Sequence, residues 1–268
     1  MKRSLLWIMV TFGLASCGGD SDSVDVGKAP VPISPEGKGM GVYTTNNNQV
    51  QNLGVIDQNQ KVWYLLINND KFDGLFTAKL NTSNNSYSSS NHKFYKFQGN
   101  YSTPSISNFL FNPNGRLSAN IKVGLINSVT YSLDSWYSNT INKYHSELDQ
   151  IVGSYEGNAY SSKSENPAEF SIARAGIIYG KEQNGCSYVG QIKAVTNSAI
   201  YEVEMQFKDT VKPSETNPNN EVVVSTCKIK TLTSKADGVL FYDEVNQNMY
   251  MMSADFSNAY VLVGKKVN

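Results

Sequence analysis

Three cysteines and two histidines are the residues of this 268-residue chain best suited to covalent or metal chemistry. Their placement assembles no reactive centre. Cys17, Cys186 and Cys227 are remote in sequence from His92 and His145, and a nucleophilic cysteine needs a base or cation beside it to form its thiolate. A tetrahedral zinc site needs four grouped nitrogen or sulfur donors, which two lone histidines without a cysteine cluster do not supply. His92, in SYSSSNHKFYKF, and His145, in NKYHSELD, both read as surface histidines. Asp57, Asp70 and Asp73 carry oxygen donors, but their spacing departs from that of a calcium-binding EF-hand loop. There is no G-x-S-x-G elbow, H-E-x-x-H helix, phosphate-binding Walker loop or dinucleotide fingerprint. Two remote carboxylates brought together by the fold could serve glycoside hydrolysis, and no pair stands out. We therefore assign no catalytic residue, no cofactor and no metal ligand.

The aromatic residues carry more information. Trp63, Tyr64, Phe72, Phe76, Phe94, Tyr95, Phe97, Tyr131, Trp136 and Tyr137 crowd the first half of the chain. Most are expected to fill small cores. Rigid rings at a surface make good anchors at little entropic cost, and Trp63, Tyr64, Tyr95, Trp136 and Tyr137 are the candidates for a face that meets a protein or glycan partner. The asparagine-rich stretches TTNNNQVQN (44–52) and NTSNNSYSSSN (81–91) read as loops able to add hydrogen bonds. The 23 Lys/Arg balance the 23 Asp/Glu, with a sequence pI near 6.7. That balance excludes a nucleic-acid binder working by massed phosphate neutralisation.

The elements that must position these residues are strands. Thirty Asn and 20 Gly stand against 3 Arg and 2 His, a composition rich in turn formers. Short apolar runs recur at 62–67, 72–80, 117–125, 129–133, 200–207 and 260–263. In YEVEMQF (201–207), Tyr201, Val203, Met205 and Phe207 alternate with polar residues, the period of a strand with one oily face. Asn-Asn-Asp (68–70), Asn-Pro-Asn-Gly (112–115) and Asn-Gly (184–185) mark turns. Two segments, 53–76 and 237–266, share a Gly-Val opening, an Asp-led polar turn and an aromatic strand. Gly41-Val42-Tyr43 and Gly153-Ser154-Tyr155 mark the starts of two corresponding halves. Small sheets must cover their edges, and barrel closure does so. The expected fold is mainly β: two small antiparallel β-barrel-like or half-barrel domains, 39–133 and 152–268, with a short linking helix. A continuous sandwich is the competing arrangement. The helix is placed at 134–151, where Trp136, Ile141, Tyr144, Leu148 and Ile151 fall near one helical face.

The N-terminus MKRSLLWIMVTFGLASCGG has a basic start, an apolar run too short to span a bilayer with ease, and Leu14-Ala15-Ser16-Cys17. It resembles the lipobox of bacterial lipoproteins. The resemblance implies a signal peptide at 1–16, cleavage before Cys17, diacylglycerol on its thiol and an acyl chain such as palmitate on the new amino terminus. Gly18 after the cysteine favours the outer membrane of a Gram-negative cell over inner-membrane retention. Residues 17–38 then form a lipidated flexible tether rich in Gly, Pro and acidic residues. Cleavage removes Lys2 and Arg3 and no acid, leaving 21 basic and 23 acidic residues. With Cys17 committed to lipid, Cys186 and Cys227 remain as an even pair in an exported chain and are expected to form a disulfide.

The body from 40 to 266, including NGCSYVG and the C-terminal GVLFYDEVNQNMYMMSADFSNAYVLVGKK, resembles small bacterial surface or periplasmic lipoproteins. More distantly, Phe97-Gln98-Gly99 and Gly74-Leu75-Phe76-Thr77-Ala78-Lys79 resemble elements of surface lipoproteins that capture host proteins. The distant resemblance implies capture of a host protein as one consequence. The expected anchor, the flexible spacer, the duplicated β body and the absence of a catalytic motif lead to the expectation of a membrane-tethered, non-enzymatic binding module with a protein or glycan partner, facing the periplasm or the exterior. Two other readings stay open: a periplasmic accessory protein or hydrolase inhibitor that inserts loop 81–91, and an enzyme acting on envelope glycan.

Overall fold

The computed structural model describes residues 39–45, 53–68, 71–83, 86–112, 115–124, 128–143, 145–213, 221–224, 227, 235–255 and 258–267. The expected signal peptide, Cys17 and the tether lie outside these residues. So do most of 44–52, Asp70, Tyr144 and 214–220.

Nine strands build an open antiparallel sheet. They are β1 (Gly41–Thr44), β2 (Leu53–Ile56), β3 (Lys61–Asn68), β4 (Lys71–Ser83), β5 (Ser86–Lys96), β6 (Tyr101–Ser102), β7 (Ser105–Asn112), β8 (Arg116–Val123) and β9 (Val129–Tyr137). Their spatial order is β6-β5-β4-β3-β2-β1-β9-β8-β7. β1 pairs with β9 through Tyr43↔Tyr137 and Thr44↔Trp136, joining the start of the meander to its end. The sheet stays open between β6 and β7, so this half is a half-barrel.

Two one-turn helices follow, α1 (Asn139–Asn142) and α2 (Leu148–Ile151). The second half then closes fully, as an eight-stranded barrel of β10 (Gly153–Ser161), β11 (Glu165–Ile172), β12 (Ile177–Glu182), β13 (Ser187–Ala194), β14 (Ile200–Lys208), β17 (Ala236–Asp243), β18 (Asn248–Ala254) and β19 (Ala259–Val267). A separate hairpin, β15 (Thr210–Pro213) with β16 (Glu221–Val224), is inserted between β14 and β17. Two β-rich domains joined by a short helical segment agree with the expected fold class, and the continuous sandwich is not formed.

The linker corrects one detail. The single helix expected over 134–151 begins instead as strand, because Leu133 and Ser135 point inward while Asp134 and Trp136 point outward. That alternation has period two, and the apparent helical spacing from Trp136 was fortuitous. α1 starts where Ser138 Oγ accepts the Ile141 N–H at 3.3 Å. Ile141 packs in a core shared by the two halves, and Ile151 packs in the core of the closed barrel. The Asn142 side chain accepts from Val42 N–H at 2.8 Å and donates to Val42 O at 2.7 Å, imitating a strand partner for β1.

The two halves do open on equivalent units. Gly41 and Gly153 have φ of +154° and +146°, a region closed to most side chains. Two residues on, Tyr43 and Tyr155 are buried, and each hydroxyl donates to the carbonyl four residues upstream, Gly39 O and Ile151 O. The likeness of 53–76 to 237–266 has a different origin. These segments are β2-β3-β4 of the half-barrel and β17-β18-β19 of the barrel, which are not equivalent strands. What they share is environment. In β3, Val62, Tyr64 and Leu66 fill the half-barrel, while Trp63 and Leu65 turn outward into the shared core. There they join Val239, Phe241, Tyr250 and Met252 of the barrel, whose neighbours Leu240, Met249 and Met251 face the barrel interior. Strands buried on both faces read as continuous apolar runs, which is why VWYLLI and MYMM lack alternation.

Candidate functional site

Burial of the aromatic residues decides where a binding face can lie. Trp63, Tyr64 and Tyr95 are 1%, 0% and 1% exposed, so three of the five expected anchors belong to cores. The reason is the two-sided burial of β3 and β5. Trp63 Nε1 donates to Asp57 Oδ2 at 2.9 Å, and Tyr95 OH donates across the junction to Asp255 O at 2.8 Å. Tyr137 is half-buried, edge-on to Tyr43 with ring centroids 5.6 Å apart. Only Trp136 is outward, at 39% exposure. Arg116, its cross-strand partner on β8, sits over the indole at 5.3 Å and forks onto Asp134 at 3.0 and 3.3 Å. Leu110 on β7, 49% exposed, flanks this face through the row Leu110↔Ser118↔Asp134.

The closed barrel presents a second face, one that the sequence reading missed. On β12, Ile177 and Tyr179 are 41% and 54% exposed; on β13, Val189 lies directly opposite Tyr179 and is 36% exposed. A shallow hollow of about 480 Å³ adjoins Tyr179, edged by Glu156, Glu169, Ser171, Lys181 and Ser187. Inner positions of these strands alternate large with absent side chains. Ile178 and Tyr188 point inward, and Gly180 lies so close that a Cβ there would stand 2.6 Å from Tyr188 Oη. With the interior filled, the apolar residues of odd number have nowhere to go but out. The signal was present in IIYG and SYVG, where an apolar pair beside a glycine places one member on each face.

A polar cleft of about 390 Å³ lies between the halves, lined by Asp57, Lys61 and Trp63 on one side and Lys193, Glu202, Glu204 and Asp237 on the other. Three of its carboxylates, those of Asp57, Glu202 and Glu204, are engaged. Asp57 Oδ1 accepts the N–H groups of Asn59 and Lys61 at 2.8 and 2.9 Å, which shapes the β2–β3 turn. Glu202 accepts from Gln58 across the junction, and Glu204 pairs with Lys235 at 2.5 Å. Burial lowers the Lys61 pKa from 10.5 to about 8, against the attraction of Asp57 and Asp237. The arrangement braces the two halves.

Cys186 and Cys227 are bridged, with Cα atoms 4.5 Å apart. The bond ties the excursion after β14 to the turn that enters β13, and Cys227 N–H donates to Asp209 Oδ1 at 2.7 Å. His145 is exposed. His92 is half-buried, its Nε2 2.8 Å from Ser89 Oγ and its ring stacked on Phe76. Burial lowers its pKa. Among the described residues, no group of three or more His, Cys, Asp or Glu side chains is arranged to hold a metal ion.

No known protein family, no curated protein and no solved structure matches this chain.

Proposed function

We propose that this chain is a lipid-anchored, non-enzymatic binding module of a Gram-negative outer membrane, and that it meets a protein partner through the aromatic outer faces of its β scaffold. The observation that carries this reading is the opposed pair Tyr179 and Val189, apolar and outward on a barrel whose interior is already full. Such a pair gains little from folding alone, whereas a partner covering it removes apolar surface from water, worth about 25 cal/mol per Å². The Trp136–Arg116 pair on the half-barrel has the residue types that dominate interface energetics. The lipobox-like Leu14-Ala15-Ser16-Cys17 supports the anchor, and 18–38 supplies the stand-off.

Two measurements test it. Labelling cells with a radioactive fatty acid gives a labelled chain, and Cys17→Ala abolishes the label; label retained in the variant refutes the anchor. The chain displayed on beads recovers a partner in a saturable manner from envelope extract or host serum, and failure in both refutes the binding reading. Protease protection of the body on intact cells distinguishes a periplasmic from an external partner.

A further inference from the structure

The outer face of the barrel around Tyr179 is built from two rows of side chains that run across the strands. One row is Ser154, Ser171, Tyr179 and Val189, on β10, β11, β12 and β13; the other, two residues along, is Glu156, Glu169, Lys181 and Ser187. Strand alternation points all eight away from the filled interior. Tyr179 projects from the first row. Beside it, the short side chains of Ser154, Ser171 and Ser187 leave the hollow of about 480 Å³. The hydroxyls of Ser154 and Ser171 bond each other at 3.0 Å, so the hollow presents little unmet polarity to an aromatic ring.

One face thus carries a knob and, next to it, a socket. It also carries both signs of charge on adjacent strands. Lys181 Nζ lies 3.7 Å from Glu169 Oε2, with each side chain 69% exposed, and a pair so open to water contributes little within one chain. Consider a two-fold axis parallel to the strands, running between β11 and β12. It sets Tyr179 against Ser171 of a second copy, Val189 against Ser154 and Lys181 against Glu169, and each contact occurs twice. Lys265 and Lys208 end the second row on β19 and β14, where the curvature of the closed barrel turns them away from a facing copy. An isologous contact requires a patch that complements itself, and this patch does so in shape and in charge. A chain with 23 basic and 23 acidic residues also brings little net charge to oppose pairing with itself.

We propose that the Tyr179 face docks a second copy of this chain, each copy's Tyr179 entering the other's serine-lined hollow about a two-fold axis parallel to the strands. The inference rests on the reading of this face as a protein-docking surface, and it names the partner.

Sedimentation equilibrium of the full chain in density-matched detergent tests it, alongside capture by the same chain from envelope extract and host serum. The parent shows a concentration-dependent monomer–dimer equilibrium. Tyr179→Ser/Val189→Ser weakens the dimer about tenfold or more. Lys181→Glu and Glu169→Lys, each alone, weaken it by about as much, because each sets like charges across the axis. Mixing these two charge variants restores a dimer of one copy of each, since opposite signs then meet at both contacts. All four positions face outward, and unfolding midpoints equal to the parent's establish that the variants fold. A dimer insensitive to these substitutions overturns the proposal, as does a mixture of the charge variants that stays monomeric. A monomeric chain that captures a different protein through Tyr179 overturns the second copy and leaves the docking face standing. A monomeric chain that captures nothing overturns both.

Discussion

At the scale of single residues, two glycines and one lysine carry the sharpest consequences. A Cβ on Gly41 would stand 2.4 Å from Tyr137, and one on Gly153 2.8 Å from Lys266, each on a backbone that L residues avoid. Gly153→Ala is expected to cost about 1–3 kcal/mol in denaturant unfolding, and Gly41→Ala a similar amount. Equal losses would mark them as equivalent openings of two related halves. Lys61 has a pH signature. Its folded pKa of about 8 lies below the ordinary 10.5, so between these values the folded chain holds fewer protons than the unfolded one. Its contribution to stability therefore rises with pH across that window, and Lys61→Met removes that part of the slope. Unfolding midpoints measured at several alkaline pH values check this; an unchanged slope in the variant contradicts the burial of the ammonium group.

At the scale of elements, the disulfide and the strand runs show what the sequence makes legible. Replacing Cys186 and Cys227 by Ser opens a cross-link spanning 41 positions, and is expected to lower stability by about 3–4 kcal/mol, read by denaturant unfolding against the oxidised parent. The pairing was legible because the expected export of the chain, with Cys17 assigned to lipid, left two cysteines over. Strand content was legible because β14 alternates strictly, as YEVEMQF shows. The two-sided strands were harder. VWYLLI announces burial without saying that Trp63 and Tyr64 leave β3 on opposite faces into different cores, and this misled the choice of binding aromatics. The stretch 81–91, taken as a loop for its Asn and Ser, instead lies largely in the long hairpin of β4 and β5. Polar residues tolerate a strand whose outer face meets water, so composition alone did not separate the two. Tyr179 went unnoticed because a single sequence does not show which member of Ile178-Tyr179 faces inward until the closed barrel sets the register.

At the scale of the whole molecule, the shared core makes one body of two halves. Leu65, Val239, Phe241 and Met252 are each at most 1% exposed, although all four leave their strands on the side away from their own half's interior. Leu65→Ala should cost about 2–5 kcal/mol and weaken both halves together. Tryptophan fluorescence, which reports the half-barrel through Trp63 and Trp136, and hydrogen exchange in β13 should then give coincident transitions; separated transitions would mean independent domains. A compact body with a shared core presents its outer faces on packed strands, which limits the entropic cost of association. The most direct test of the binding role compares partner capture by the full chain with capture by Tyr179→Ser/Val189→Ser, two outward positions whose replacement leaves the barrel interior intact. The account predicts a saturable partner whose affinity falls at least about tenfold in the folded double variant. Equal capture by the two proteins would contradict it.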